Sequence, residues 1–178
     1  FISDDQGLTW RLGKGAIDYA KRGAMEPEIV ELAKNEDGSV RLAMYMRTQL
    51  GHVAVGYSRD AGDTWTKAVD AKIRAPEAPA TIRRVPSTGD LVLVWNDNFS
   101  AGAGHGGKRT PLSIAVSKDE GETWKKVGDI ETSKQHTYAY TSLCFVRGRM
   151  VMSYYVRDES TGRISNRFRS LPISWLYN

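Results

Sequence analysis

The sequence predicts an all-β fold made of repeated four-stranded units. Three observations carry that expectation. An eight-residue pattern, S-x-D-x-G-x-T-W, occurs without mismatch at residues 3–10, 58–65 and 117–124. The copies start 55 and 59 residues apart, a spacing that suits the blades of a β-propeller or a similar array. Between the copies, short apolar runs alternate with Asp, Asn, Gly and Pro turn signals, as they do in blades of four antiparallel strands.

Each copy of the pattern reads as a hairpin brace. Its Asp side chain can accept hydrogen bonds from nearby backbone N–H groups, and its Gly tolerates a positive φ. The Thr then returns the chain to extended structure, and the Trp offers an apolar surface that clamps the turn to a sheet. That is a scaffold role, so Asp5, Asp60 and Asp119 are not catalytic candidates.

The elements follow in order. The polar stretch from the first copy to Gly23 is unassigned. Residues 28–32 (EIVEL) are expected as a strand, residues 35–38 (NEDG) as a turn, and residues 40–47 and 52–58 as the next two strands, the latter entering the second copy. A fourth strand is expected over residues 67–73. The run from Met25 to Leu32 also fits a helix, but the Asp-Gly turn after it and the repeat register favour a strand. The second unit has strands over 81–85 and 91–95 joined by a Ser-Thr-Gly-Asp turn, a glycine-rich loop over 96–109, a strand over 112–117 entering the third copy, and a strand over 125–130. The last unit has strands over 142–146 and 150–156 joined by Arg147-Gly148-Arg149, and a final one from Arg163 toward Trp175. Two full units and a partial one at each end amount to roughly half of a six-unit ring, with open strand edges.

Composition bounds the rest. The 178 residues suffice for one domain spanning 1–178, and 40% apolar residues argue against disorder. The net charge of +4 leans toward an anionic partner, but no dense Lys/Arg run supports nucleic-acid binding. Cys144 sits in the apolar run Leu143–Val146 and is expected to be a buried, inert thiol. No apolar stretch approaches a membrane span. The chain opens with Phe1-Ile2 directly at a copy of the pattern, so a preceding segment is expected, and the lack of a signal peptide carries no weight. No cofactor is expected, and no His/Cys/carboxylate cluster has metal-ligand spacing. The loop around His105 lacks the Gly-Lys-Ser/Thr ending of a phosphate loop and reads as a mobile rim loop near a pocket.

The pattern is the Asp box, and an ordered set of segments surrounds it: Glu26-Pro27-Glu28, Tyr45-Met46-Arg47-Thr48, Pro79-Ala80-Thr81-Ile82 with Gly89 to Asn96, Arg109-Thr110-Pro111-Leu112, and Tyr138-Ala139-Tyr140-Thr141. Over nearly its whole length the chain resembles the bacterial sialidase-like proteins with BNR repeats, of the sialidase (neuraminidase) superfamily. The tail from Leu171 to Tyr177 is similar to the natural end of such proteins. The resemblance implies a six-bladed β-propeller, of which this chain covers about three blades. It implies a glycosidase in which three arginines bind the carboxylate of a sialic acid, a tyrosine paired with a glutamate is the nucleophile, and an aspartate is the acid/base. By motif, Glu26 resembles the partner glutamate, Arg47 the second arginine, Arg109 the third and Tyr140 the tyrosine. The first arginine and the acid/base aspartate are expected before residue 1. The implied activity is exo-hydrolysis of a terminal sialic acid or a related carboxylated sugar, the implied partner is an acidic-sugar glycan, and a secreted or periplasmic location stays open.

The repeat scheme supplies a check of its own. Strands within a unit alternate in direction, so the start of strand one, the end of strand two and the start of strand three share one rim. Glu26 and Tyr140 lie just before first strands, Arg47 ends a second strand, and Arg109 shortly precedes a third. All four fall on one rim, and the boxes, which close third strands, fall on the other. The chemistry is consistent: Arg forks grip a carboxylate through two parallel charge-assisted bonds that Lys does not reproduce. A tyrosine, with an ordinary pKa of about 10, needs a neighbouring base to act as a nucleophile, and sialidases are the exception to the two-carboxylate scheme of glycosidases. Local competitors remain: Glu28 and Glu31 for Glu26, Lys108 for Arg109, and Tyr138, of the same strand parity, for Tyr140. Other functions remain too: hydrolysis or elimination on another carboxylated sugar, or a non-catalytic propeller that binds glycans or proteins.

Overall fold

The computed structural model describes residues 1–33 and 35–178. Eleven strands among them form three antiparallel sheets. The first sheet is β1 (Met25–Leu32), β2 (Arg41–Arg47), β3 (His52–Ser58) and β4 (Val69–Arg74), in that order. The second is β5 (Thr81–Arg84), β6 (Leu91–Trp95), β7 (Leu112–Ser117) and β8 (Lys125–Glu131). The third has β9 (His136–Val146), β10 (Arg149–Asp158) and β11 (Ile164–Pro172), followed by a short 3-10 helix over Ile173–Tyr177. The run from residue 25 to 32 is therefore strand, not helix. No helix among the described residues is long and apolar enough to cross a membrane.

The sheets stack face to face, and side-chain alternation sets which face each residue serves. In β6, Leu91, Leu93 and Trp95 enter the core shared with Val30, Tyr45, Val53 and Val55 of the first sheet. The intervening Val92 and Val94 enter the core shared with Tyr138, Met150, Met152 and Tyr154 of the third sheet. The middle sheet is thus buried on both faces, which is why Leu91–Trp95 reads as an unbroken apolar run. In β10 one face is buried and the other is not, so Met150, Met152 and Tyr154 alternate with the exposed Ser153. Polar ties run between the sheets as well. Arg83 pairs with Glu28, Arg84 Nη2 donates to the Glu31 carbonyl at 2.6 Å, and the buried Glu131 receives Arg167 Nη1 at 2.7 Å, Arg169 Nη2 at 2.9 Å and the Tyr154 hydroxyl at 2.5 Å.

Two expectations about the third sheet need correction. Its first strand starts at His136, six residues before the predicted Ser142, because residues 136–139 pair with β10 across an irregularity in register. Cys144 is exposed, not buried, because Leu143 takes the core side of the strand and Cys144 the opposite side.

All three boxes close in the same way. In each, the Ser hydroxyl donates to the Asp and accepts from the Gly N–H, while both Asp oxygens accept from the Thr N–H and hydroxyl. The Thr hydroxyl, then the Thr N–H, hold Asp5, Asp60 and Asp119 down at about 2. A depressed carboxylate stabilises the fold fully above its unfolded pKa and loses that contribution as pH falls through its folded pKa. We therefore expect Asp119→Asn to flatten the fall of the urea-unfolding midpoint between pH 3.8 and about 2. An unchanged slope would rule out the brace as a source of stability.

Candidate active site

The first strands of the three sheets, β1, β5 and β9, run side by side, and the Thr81 hydroxyl donates to the Thr141 carbonyl at 2.6 Å. Two of the predicted residues sit on these strands at bulges. The β1–β2 register slips between Met25 and Glu28, and the β9–β10 register slips between Ser153 and Tyr155, opposite Tyr140. Glu26 and Tyr140 take φ values of 45° and 54° there. Bulges re-aim side chains beside active sites, and left-handed non-glycine residues persist only where their surroundings enforce them. Both residues lie within strands rather than just before them, and the bulge turns Glu26 although a residue before proline favours extended backbone. The slip in β9 also separates the two tyrosines. Tyr138 is 1% exposed in the core and Tyr140 is 53% exposed, although an unbroken strand would point both the same way.

Two of the other competitors are engaged elsewhere: Glu28 pairs with Arg83, and Lys108 reaches the Lys134 carbonyl. Glu26 instead joins Arg47, with Nη1 2.8 Å from Oε2. Arg47 is 8% exposed, and its Nε is buried with no hydrogen-bond partner among the described residues. Burial opposes its charge, but the Glu26 hydrogen bond and the carboxylates of Glu26 and Glu77 outweigh that and raise its pKa, with Tyr140 close enough to contribute. Arg109 lies over Tyr140, its Cζ 5.6 Å from the ring centroid, within cation–π range. Tyr155 flanks Tyr140 with ring centroids 5.5 Å apart. No hydrogen bond joins Tyr140 to Glu26 among the described residues.

What links the Glu26–Arg47 pair to the Arg109–Tyr140 pair is Glu77, on the β4–β5 loop, which the sequence reading missed. Its carboxylate is 3% exposed. Oε1 receives Arg22 Nη1 at 2.7 Å and Arg47 Nη2 at 3.3 Å, Oε2 meets His105 Nδ1 at 3.0 Å and Gln49 Nε2 at 3.3 Å, and its carbonyl accepts from Arg109 Nη2 at 3.0 Å. Burial would raise the Glu77 pKa, but the hydrogen bonds from His105 and Gln49 and the charges of Arg47 and Arg22 lower it below the usual range. The sequence did hold a signal: Glu77 is the one charged residue of Ala75-Pro76-Glu77-Ala78-Pro79-Ala80, and a buried carboxylate must be paired. Arg22, in the stretch left unassigned, carried none.

The glycine-rich loop, expected to be mobile, is tied down. The Glu77 N–H donates to the His105 carbonyl at 2.7 Å. Phe99 lies so close to Gly51, at φ 83°, that a Cβ there would come within 2.7 Å of the ring. Asn96 Nδ2 donates to the carbonyls of Pro111 and Tyr138, both at 3.1 Å, and so joins the end of β6 to the strands that carry Arg109's neighbours and Tyr140. A depression of about 400 Å³ opens beside His105, Arg109 and Tyr155. No group of three or more His, Cys, Asp or Glu among the described residues could hold a metal ion. The arrangement brings two guanidinium groups onto Glu77 beside an exposed phenol.

A stacked set of antiparallel sheets braced by Asp boxes, with arginines gathered on one rim, defines a sialidase-like propeller domain. Residues 1–152 match the model of the BNR repeat-like domain, and the chain belongs to that family. It is 25% identical over 151 residues to a sialidase of Bacteroides fragilis (strain YCH46), covering 81% of this chain and 25% of that protein. Among solved structures it is similar to a Trypanosoma rangeli sialidase in complex with sialic acid (TM-score 0.72, 16% identity, 98% of this chain and 27% of that one). It is also similar to a mutant of the NanB sialidase from Streptococcus pneumoniae (TM-score 0.72, 20% identity, 97% and 27%). A Penicillium chrysogenum α-L-arabinanase complexed with arabinobiose shares the fold more distantly (TM-score 0.57, 14% identity, 84% and 46%). The chain thus spans about a quarter of the sialidases it matches.

Truncating Asn96 leaves the buried carbonyls of Pro111 and Tyr138 without their donor, a loss of about 1–3 kcal/mol. We expect Asn96→Ala to lower the urea-unfolding free energy by about that amount, and a change within experimental error would remove Asn96 from the support of the site.

Proposed function

We propose that this chain is part of an exo-glycosidase of sialidase type that hydrolyses a terminal sialic acid or a related carboxylated sugar. The observation that carries the reading is the convergence of Arg47 and Arg109 on Glu77, beside a tyrosine that a bulge turns out of the core. In this reading the two guanidinium groups hold the substrate carboxylate. Glu26, 39% exposed, is the partner that the incoming carboxylate displaces from Arg47, while Glu77 stays buried behind it. The proposed whole is a six-bladed ring of which these residues form three blades, with a further arginine and the acid/base aspartate contributed from outside them.

The chemistry follows from the groups. Tyr140 Oη bonds to the anomeric carbon as the bond to the glycosidic oxygen breaks. The phenol proton passes to Glu26, and the leaving oxygen takes a proton from the acid/base group. Water then attacks the anomeric carbon and gives its proton back to that group, and the phenolate leaves and regains its own. Two inversions return the original configuration. A phenol suits this substrate because a carboxylate nucleophile would meet the sugar's own negative charge. Apo hydrogen bonds between catalytic groups are often loose and tighten with substrate, so Glu26 closes on Tyr140 as it leaves Arg47.

The full-length protein should turn over a fluorogenic sialoside with retention, and Tyr140→Phe should lower kcat by about 10³-fold or more at an unchanged fold. Turnover by the variant at the wild-type rate refutes the nucleophile. Sialoside binding without any turnover by the wild type points instead to a glycan-binding module.

A further inference from the structure

We propose that Glu77 is a positioning residue that sets the separation and orientation of the carboxylate-binding arginines and fixes the glycine-rich loop against them. Every polar group of this residue is used at the site. Its N–H holds the His105 carbonyl, its carbonyl holds Arg109, Oε1 holds Arg22 and Arg47, and Oε2 holds His105 and Gln49. These partners come from the segment before β1, the end of β2, the β2–β3 turn and the β6–β7 loop. Elements distant in sequence are therefore registered to one another through the backbone and side chain of a single residue.

Its burial separates it from Glu26. Glu26 also touches Arg47, but it is 39% exposed, and Glu77 is 3% exposed. A substrate carboxylate can replace an exposed partner and cannot reach a buried one. Two functions thus fall on two carboxylates: Glu26 yields its place, and Glu77 keeps Arg47 where it is when Glu26 leaves. Glu77 also brings in a third guanidinium. Arg22 uses Nη1 on Oε1 and is 57% exposed, so its remaining donors stay open at the rim beside Arg47. Displacement of a binding group by about 1 Å can cost about 10²-fold in rate, which sets the expected size of the effect.

The inference rests on the sialidase reading for its substrate, and the test separates the two. The full-length protein is compared with Glu77→Gln, which keeps the shape and removes the charge, and with Glu77→Ala. Each is assayed with 4-methylumbelliferyl sialoside and with its methyl ester, which lacks the carboxylate the arginines would grip. Glu77→Gln should lower kcat/KM on the sialoside by about 10- to 100-fold, mainly through KM, and leave the low rate on the ester nearly unchanged. An equal loss on both substrates overturns the positioning role. Crystal structures of the same variants give a second readout that needs no turnover. The guanidinium groups of Arg47 and Arg22, which the carboxylate holds, should move by about 1 Å or more, with loosening of residues 98–107. Arginines that stay in place overturn the inference even in an active enzyme. A wild type inactive on both substrates refutes the sialidase reading alone, and the crystallographic comparison still decides the role of Glu77. Should the alanine variant fail to fold, the isosteric Gln variant carries both measurements.

Discussion

The stacking of one sheet face on the next is the constraint on which everything else in this chain depends. β6 sends Leu91, Leu93 and Trp95 one way and Val92 and Val94 the other, so a shift of one residue in its register would exchange two cores at once. That double commitment fixes the order of the three sheets and brings β1, β5 and β9 side by side. The site is assembled at these neighbouring first strands and the loops around them. No single sheet contains it: Arg47 belongs to the first, Arg109 to the loop leading into β7 of the second, and Tyr140 to the third. The second and third Asp boxes stand at the far ends of β3 and β7, where they can brace turns without intruding on the chemistry.

Gathering cations at one rim has an electrostatic cost that the structure meets with carboxylates. Two unit charges about 5 Å apart repel by about 3 kcal/mol at an effective dielectric of about 20. Arg22 and Arg47 share one oxygen of Glu77, so each repulsive term is set against an attractive one. The arrangement also explains why Glu77 has to be buried and multiply hydrogen-bonded. A buried charge left unpaired is far costlier than a pair, and here the pairs number several on one carboxylate. The lowered pKa of Glu77 and the raised pKa of Arg47 are the two sides of that mutual stabilisation.

Much of this was legible in the sequence, for identifiable reasons. The Asp boxes are local codes in which every bond is made within eight residues, so their spacing gave the repeat and its strands. Strand alternation then placed Glu26, Arg47, Arg109 and Tyr140 on one rim. What escaped reading depends on contacts across the chain. Tyr138 and Tyr140 have equal parity until a bulge opposite Tyr154 separates them. Cys144 looks buried in Leu-Cys-Phe-Val until the pairing of β9 with β10 turns it outward. Glu77 has no motif of its own, and its meaning comes from Arg22, Gln49, Arg47, His105 and Arg109, all five of which lie 28 or more residues away.

The fold by itself leaves the substrate open, since a sialidase holding sialic acid and an arabinanase holding arabinobiose both resemble this chain. The decision falls to the rim. A neutral sugar placed there would screen guanidinium groups from water and offer them only hydroxyls, leaving their charge less well compensated than before binding. In the proposed reading an acidic sugar would replace the exposed Glu26 with a carboxylate of its own, so Arg47 would exchange one anion for another with its buried pairing to Glu77 undisturbed. Charge balance at Arg47 is preserved through binding only for an anionic ligand. That conservation, more than the number of arginines, is the physical ground for proposing a carboxylated sugar.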